Sequence, residues 1–402
     1  MTLFERSEKL LPYMTEIRRH IHSCPGVGFD NRETMDYIKK QLTDIGIYAN
    51  EVGKCGLSAL IGDAQKPCIL LRADSDGLKT AEETELPYAS HNGNMHLCGH
   101  DIHTAQLLGA ARLLKEDEKS LPVCVKLMFQ SAEEILSGAK DMIDCGILCE
   151  PSPICAAMIH VMTATELETG TVIIPEYGES APCADFFEIT VNGKSCHGSS
   201  PHMGKDALYS ACNIVTALSH ISARELSVND RAIITVGSLN SGSSANIISG
   251  KAVIKGSMRC FGKELRKKLS ERITETATYT ASAFGTSANT VFTSTCPSLV
   301  NAKEMCEAAS EILPVHLGAG KIKRASEFGT GNTVGGSEDF AYVAERIPSV
   351  MLALCAGNIR DGYTYPLHHP KVTFDERAMA YGCCTLAALC EFFLRKNMGS
   401  AE

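Results

Sequence analysis

Residues 68–74 read CILLRAD, residues 123–130 VCVKLMFQ and residues 154–162 ICAAMIHVM, and these three apolar, β-rich runs decide the fold. Segments with helical spacing lie between them, one from about Asp101 to Leu114 and one after Glu134. Alternation of strand and helix predicts an α/β layer with a mostly parallel central sheet flanked by helices. Near-continuous hydrophobic strands fit a sheet covered on both faces. In such sheets chemistry gathers in loops at the carboxyl ends of the strands. The segments after Arg72, after Phe129 and at His160 fall at such ends.

Outward from this centre, residues 3–22 and 32–45 carry helical spacing, the second opening after Asn31 and stopping at Gly46. The character changes near Ala184. DFFEITVNG, a helix over 206–222, AIITVGSLN, AVIKGSMRC, a helix over 263–285 and TVFTST form a self-contained set. Their polar–apolar alternation predicts an antiparallel sheet with one wet face and helices on the other. After residue 299 the first pattern resumes, with a helix near 302–313, a strand at SVMLALCAG and an apolar helix over 375–395. The expectation is a discontinuous catalytic domain (1–182 and 299–402) interrupted by an α+β domain over 183–298.

Composition narrows the class. A 402-residue chain with 44% hydrophobic and 21% charged residues is an ordinary globular sequence. Its net charge of -9 excludes nucleic acid as the natural partner, because phosphates would be repelled. The first twenty residues carry charges throughout, unlike a signal peptide, and no apolar run reaches the ~18 residues of a membrane span. A soluble, cytoplasmic protein without a membrane partner is expected. The 18 cysteines fall singly apart from Cys383 and Cys384, with no C-x-x-C, so zinc fingers and disulfide scaffolds are excluded. Nearly all are expected to be buried free thiols.

The densest chemistry is MHLCGHDIHTA (95–105), which sets His96, Cys98, His100, Asp101 and His103 just before a helix. Thiolate and imidazole are preferred ligands for zinc-like ions, and an extended Cys98–His100 segment could aim both at one point. Asp101 and His103 would then supply hydrogen bonds to the ligands. FQSAEE (129–134) ends a strand with adjacent carboxylates. On an extended segment these point apart, leaving one to bind metal and the other to move protons. His160 lies among apolar neighbours at a strand end, and His368 lies in the Pro-bounded loop YPLHHP. Cys98 also admits a second reading, a nucleophile in a metal-free amidase with His100 or His103 as base.

Taken together, these segments resemble the M20 metallopeptidase family in its amidohydrolase branch. RRHIHSCPGVGF (18–29), RADSDGL (72–78), MHLCGHDIHTA, FQSAEE, HGSSPHMGKDAL (197–208), GSEDF (336–340) and LHHP (367–370) follow in the family's order. The resemblance implies two divalent metal ions, zinc or manganese with cobalt or nickel as further options, on Cys98, His100, Glu134, His160 and His368. It places Glu133 as general acid/base and Asp76 as a carboxylate beside the metals. The inserted segment resembles the family's lid and dimerisation domain. There His197 matches the residue that stabilises the oxyanion, and Asn246 and Arg259 match those that bind the substrate's carboxylate. The implied reaction is hydrolysis of a small N-acyl amino acid by a homodimer, with a dipeptidase or carboxypeptidase of the same family as alternative. The chain departs from the family at Ser75, Gly77, Ser131 and Ser249, and HVMTATELETG (160–170) lacks the usual prolines.

Overall fold

The computed structural model describes residues 1–328 and 336–398. Among these, the chain forms two compact units, one of residues 1–180, 300–328 and 339–398, the other of 181–299 with 336–338.

The larger unit is built on an eight-stranded sheet. Its order is Ala49–Glu51, Gly56–Ile61, Cys124–Gln130, Cys68–Asp74, Pro153–Met162, Ser349–Cys355, Val172–Ile174 and Ile322–Arg324. The four central strands run parallel, as the apolar runs predict, and antiparallel pairings flank them. Every residue of Cys68–Asp74 and Cys124–Gln130 is buried, because helices cover the sheet. Leu11–Ser23, His100–Glu116 and Ala378–Met398 pack against one another over a core that includes Met14, Ile17, Leu108, Met379 and Leu386.

Several boundaries differ from expectation for local reasons. The predicted 3–22 helix is two, Leu3–Lys9 and Leu11–Ser23, because Pro12 sits where only a helix's first turn tolerates it. The helix after Glu134 begins only at Gly138, since 131–137 form a turn. Short strands at Val172–Ile174 and Ile322–Arg324 escape the reading, being three residues each.

The smaller unit has a four-stranded antiparallel sheet, ordered Ala232–Ser241, Lys251–Cys260, Ala184–Asn192 and Ser287–Cys296. Helices Ala207–His220 and Lys263–Ala283 cover one face over Phe187, Ile189 and Ile254, with Ile273 of the second helix packed in the same core. Thr190, Lys255 and Val291 alternate onto the other face. All 18 cysteines are free, but Cys24, Cys145, Cys149 and Cys212 are exposed, which corrects the expectation of near-complete burial. No helix of the described residues is long and apolar enough to cross a membrane.

Candidate metal centre

The expected residues of the larger unit meet at the carboxyl ends of its central strands. Cys98 lies in a loop and His100 is the first residue of the His100–Glu116 helix, so the pair does not sit on an extended segment. Gly99 between them makes the bend. It has φ +83°, and a Cβ there would collide with Val161, so both conformation and space require glycine.

Hydrogen bonds fix how the imidazoles are presented. The Nδ1–H of His100 donates to the Asp76 carbonyl at 2.9 Å, and that of His160 donates to the Val161 carbonyl at 2.7 Å. Carbonyl oxygens only accept, so in the neutral form of each ring the lone pair lies on Nε2. His160 Nε2 lies 3.5 Å from Cys98 Sγ. His100 Nε2 is buried and makes no hydrogen bond. Carboxylate oxygens of Glu133 and Glu134 each stand 4.0 Å from it, and Asp74 Oδ2 stands at 3.7 Å.

Glu133 and Glu134 therefore do not point apart. Ala132 adopts φ +62°, the Leu136 N–H closes a tight turn on the Glu133 carbonyl, and both carboxylates face one imidazole. Asp76 holds this turn, accepting the backbone N–H of Glu133 at 3.0 Å and of Glu134 at 3.3 Å. His368, at φ +67°, is half-exposed and places Nε2 3.7 Å from Glu134 Oε1. Its N–H donates to the Leu97 carbonyl at 3.1 Å, tying its loop beside Cys98.

Of five groups among the described residues with ligand atoms within 4.8 Å of one another, three join the expected residues: Cys98 with His100 and His160, Cys98 with Glu134 and His368, and His100 with Glu133 and Glu134. The donor set of thiol, imidazoles and carboxylates fits divalent ions, and the electrostatics agree. Burial alone would lower His100, yet the Asp74 and Asp76 carboxylates hold it well above its ordinary value. The same carboxylates would favour a divalent cation at this nitrogen. Burial pushes His160 down to about 3 and the Cys98 thiol up to about 12.

Charged residues missed in the sequence support this floor. Arg72 and Asp74 are the only ionised side chains in an otherwise apolar strand, which was the available signal. Arg72 donates to Asp74 at 2.6 Å, to Gln130 at 3.0 Å and to Asp339 at 2.8 Å, all buried. Burial would raise Asp74, but Arg72 and the neighbouring histidines hold it well below the usual carboxylate range. A second network joins Asp101 to Arg18 Nε and His22 Nδ1, each at 2.8 Å.

In the smaller unit, His197 and Asn246 are neighbours. His197 pairs with Ile247, and the Gly198 N–H donates to the Asn246 carbonyl at 2.7 Å. The Ser199 N–H donates to His197 Nδ1 at 3.1 Å, so the exposed ring carries its proton on Nε2. Arg259 Nη1 donates to Ser337 Oγ at 2.8 Å.

A parallel-centred sheet with this cluster at its strand ends defines a hydrolase with a divalent metal centre. The chain belongs to peptidase family M20/M25/M40, whose profile matches residues 70–391. It is 36% identical over 366 residues to the N-acetyl-L-cysteine deacetylase of Bacillus subtilis, covering 90% of this chain and 84% of that one. It is 32% identical over 400 residues to IAA-amino acid hydrolase ILR1-like 2 of Arabidopsis thaliana, covering 98% and 88%. Among solved structures, a dinuclear metal-binding M20 peptidase from Bacillus subtilis superposes with a TM-score of 0.78 at 30% identity, covering 96% of this chain and 99% of that one. The protein is an enzyme acting on amide bonds.

Proposed function

We propose that the enzyme hydrolyses small N-acyl amino acids, carrying an N-acetyl or aromatic acyl group, with Cys98, His100, Glu134, His160 and His368 sharing two divalent ions. The observation that carries this is the buried, unbonded Nε2 of His100, faced by the Glu133 and Glu134 carboxylates at 4.0 Å. Cys98 belongs both to the group with His100 and His160 and to that with Glu134 and His368, so these five residues would hold the ions together. Zinc or manganese suits one thiol among imidazoles and carboxylates. The relatives whose names specify N-acetylcysteine and IAA–amino acid conjugates support the substrate class.

Such ions, when bound, lower the pKa of coordinated water to about 7. Glu133 is buried beside His100 and would take a proton from attacking water and return it to the leaving amine. His197 would donate its Nε2–H to the substrate's developing negative oxygen. Arg259, with Asn246, would grip the amino acid's carboxylate through its guanidinium fork. Dimerisation through the inserted unit accompanies this reading. A Cys98 thiol pushed up to about 12 is a poor nucleophile, which argues against the metal-free cysteine route.

The test is a hydrolysis panel of N-acetyl, benzoyl and indolyl-acyl amino acids and dipeptides on metal-analysed protein, run beside Glu133→Gln. The variant should keep its metal and lose roughly 10²- to 10⁴-fold in kcat. Full turnover in Glu133→Gln at unchanged metal content would refute the acid/base role.

A further inference from the structure

The Pro153–Met162 strand outruns one neighbour. Its pairing with Cys68–Asp74 ends at Arg72 and Met158, while the pairing with Ser349–Cys355 continues to Met162. Main-chain groups beyond Met158 that face the shorter strand lose their ladder partners, and a buried N–H needs another acceptor. At Val161 imidazoles take over both groups. Its N–H donates to His103 Nε2 at 2.8 Å, and its carbonyl accepts from His160 Nδ1 at 2.7 Å.

Because Val161 donates to Nε2, His103 is the tautomer with its proton on Nδ1. That proton goes to Asp74 Oδ1 at 2.6 Å, and Asp74 is fixed in turn by Arg72 and by the Thr104 hydroxyl on its carbonyl. Both ring nitrogens of His103 are thus engaged, so it is not available as a ligand although it lies beside His100 and His160. We infer that His103, held in one tautomer by Asp74, is a positioning residue that aims His160 Nε2 through the main chain at Val161. The inference rests on the metal-centre reading above. It assigns a specific task to a histidine that reacts with nothing.

Cobalt(II) titration of chelator-stripped protein tests it, reading affinity and the thiolate–cobalt absorption. His103→Phe keeps ring volume without an acceptor and should bind cobalt 10- to 100-fold more weakly with shifted bands. His103→Gln, whose amide can donate to Asp74 and accept from Val161, should recover much of both. If His103→Phe does not fold, Asp74→Asn replaces it: the amide offers Nδ1 a donor, favours the other tautomer and should weaken cobalt similarly. Wild-type affinity and bands in the folded variant overturn the inference, even if its melting temperature falls, since a merely structural residue would behave so. A wild-type protein that shows no thiolate–cobalt band overturns the metal-centre reading and this inference together.

Discussion

Asp76 and Glu133 are joined through the main chain, the Asp76 carboxylate accepting the Glu133 backbone N–H at 3.0 Å. Asp76 therefore shapes the turn that delivers two carboxylates to His100. Asp76→Ala should lower kcat by about 10²-fold, the scale of a misplacement near 1 Å, while metal content stays at the wild-type level. Steady-state kinetics with metal analysis check this, and an unchanged kcat would show that the turn holds without the carboxylate.

Metal removal should abolish turnover and lower the melting temperature together. Ligand present at 100 times its Kd adds about 2.7 kcal/mol to stability, so returning zinc or manganese should raise the transition in a concentration-dependent way. In stripped protein at neutral pH, iodoacetamide should label exposed Cys24, Cys145, Cys149 and Cys212 before Cys98, whose buried thiol is pushed up to about 12. Peptide mapping that finds Cys98 labelled first would reopen the nucleophile reading.

The parallel centre and the inserted antiparallel sheet were legible because long apolar or alternating runs report burial directly. The cluster of candidate ligands was legible because cysteine, histidines and paired carboxylates are packed into short motifs. What escaped depends on backbone dihedrals and on pairing between distant segments. Nothing in FQSAEE announces φ +62° at Ala132, so the two glutamates read as diverging when they converge. Nothing in the sequence pairs His103 with Val161, because that bond exists only where one strand outlasts its neighbour.

The Arg18–Asp101–His22 network gives stability a defined pH dependence. Burial would lower His22, but Asp101 and Glu82 on its two ring nitrogens raise it above its ordinary value. A raised folded value means its contribution is complete below the unfolded pKa of about 6.5 and fades as pH rises through the folded one. Asp101, which burial would raise but Arg18 and His22 depress, contributes above about pH 4 and loses that contribution only in strong acid. The melting-temperature gap between metal-free wild type and His22→Gln should thus be widest near pH 6 and narrow toward pH 9. Asp101→Asn should cost roughly 1.5–3 kcal/mol at every pH above 5, because the buried Arg18 guanidinium loses one charged partner while keeping Glu376 at 3.1 Å. A His22→Gln gap that widens with pH would reverse the assigned sign.

Ala132 supplies the sharpest test of the turn itself. A left-handed conformation costs an L-residue roughly 1–2 kcal/mol, and β-branched side chains tolerate it least. Alanine already carries that strain one residue before the proposed acid/base, and the conformation brings Glu133 and Glu134 onto one imidazole. Ala132→Gly relieves the strain and should leave kcat within a few-fold of wild type. Ala132→Val faces both the dihedral penalty and a site with no exposed surface. It should open the turn, lowering kcat by 10-fold or more and loosening the metal on Glu134, with dialysis and metal analysis as the second readout. Equal activity and metal retention in the two variants would mean that the turn does not set the convergence of the glutamates, and the geometry at His100 would then need another cause.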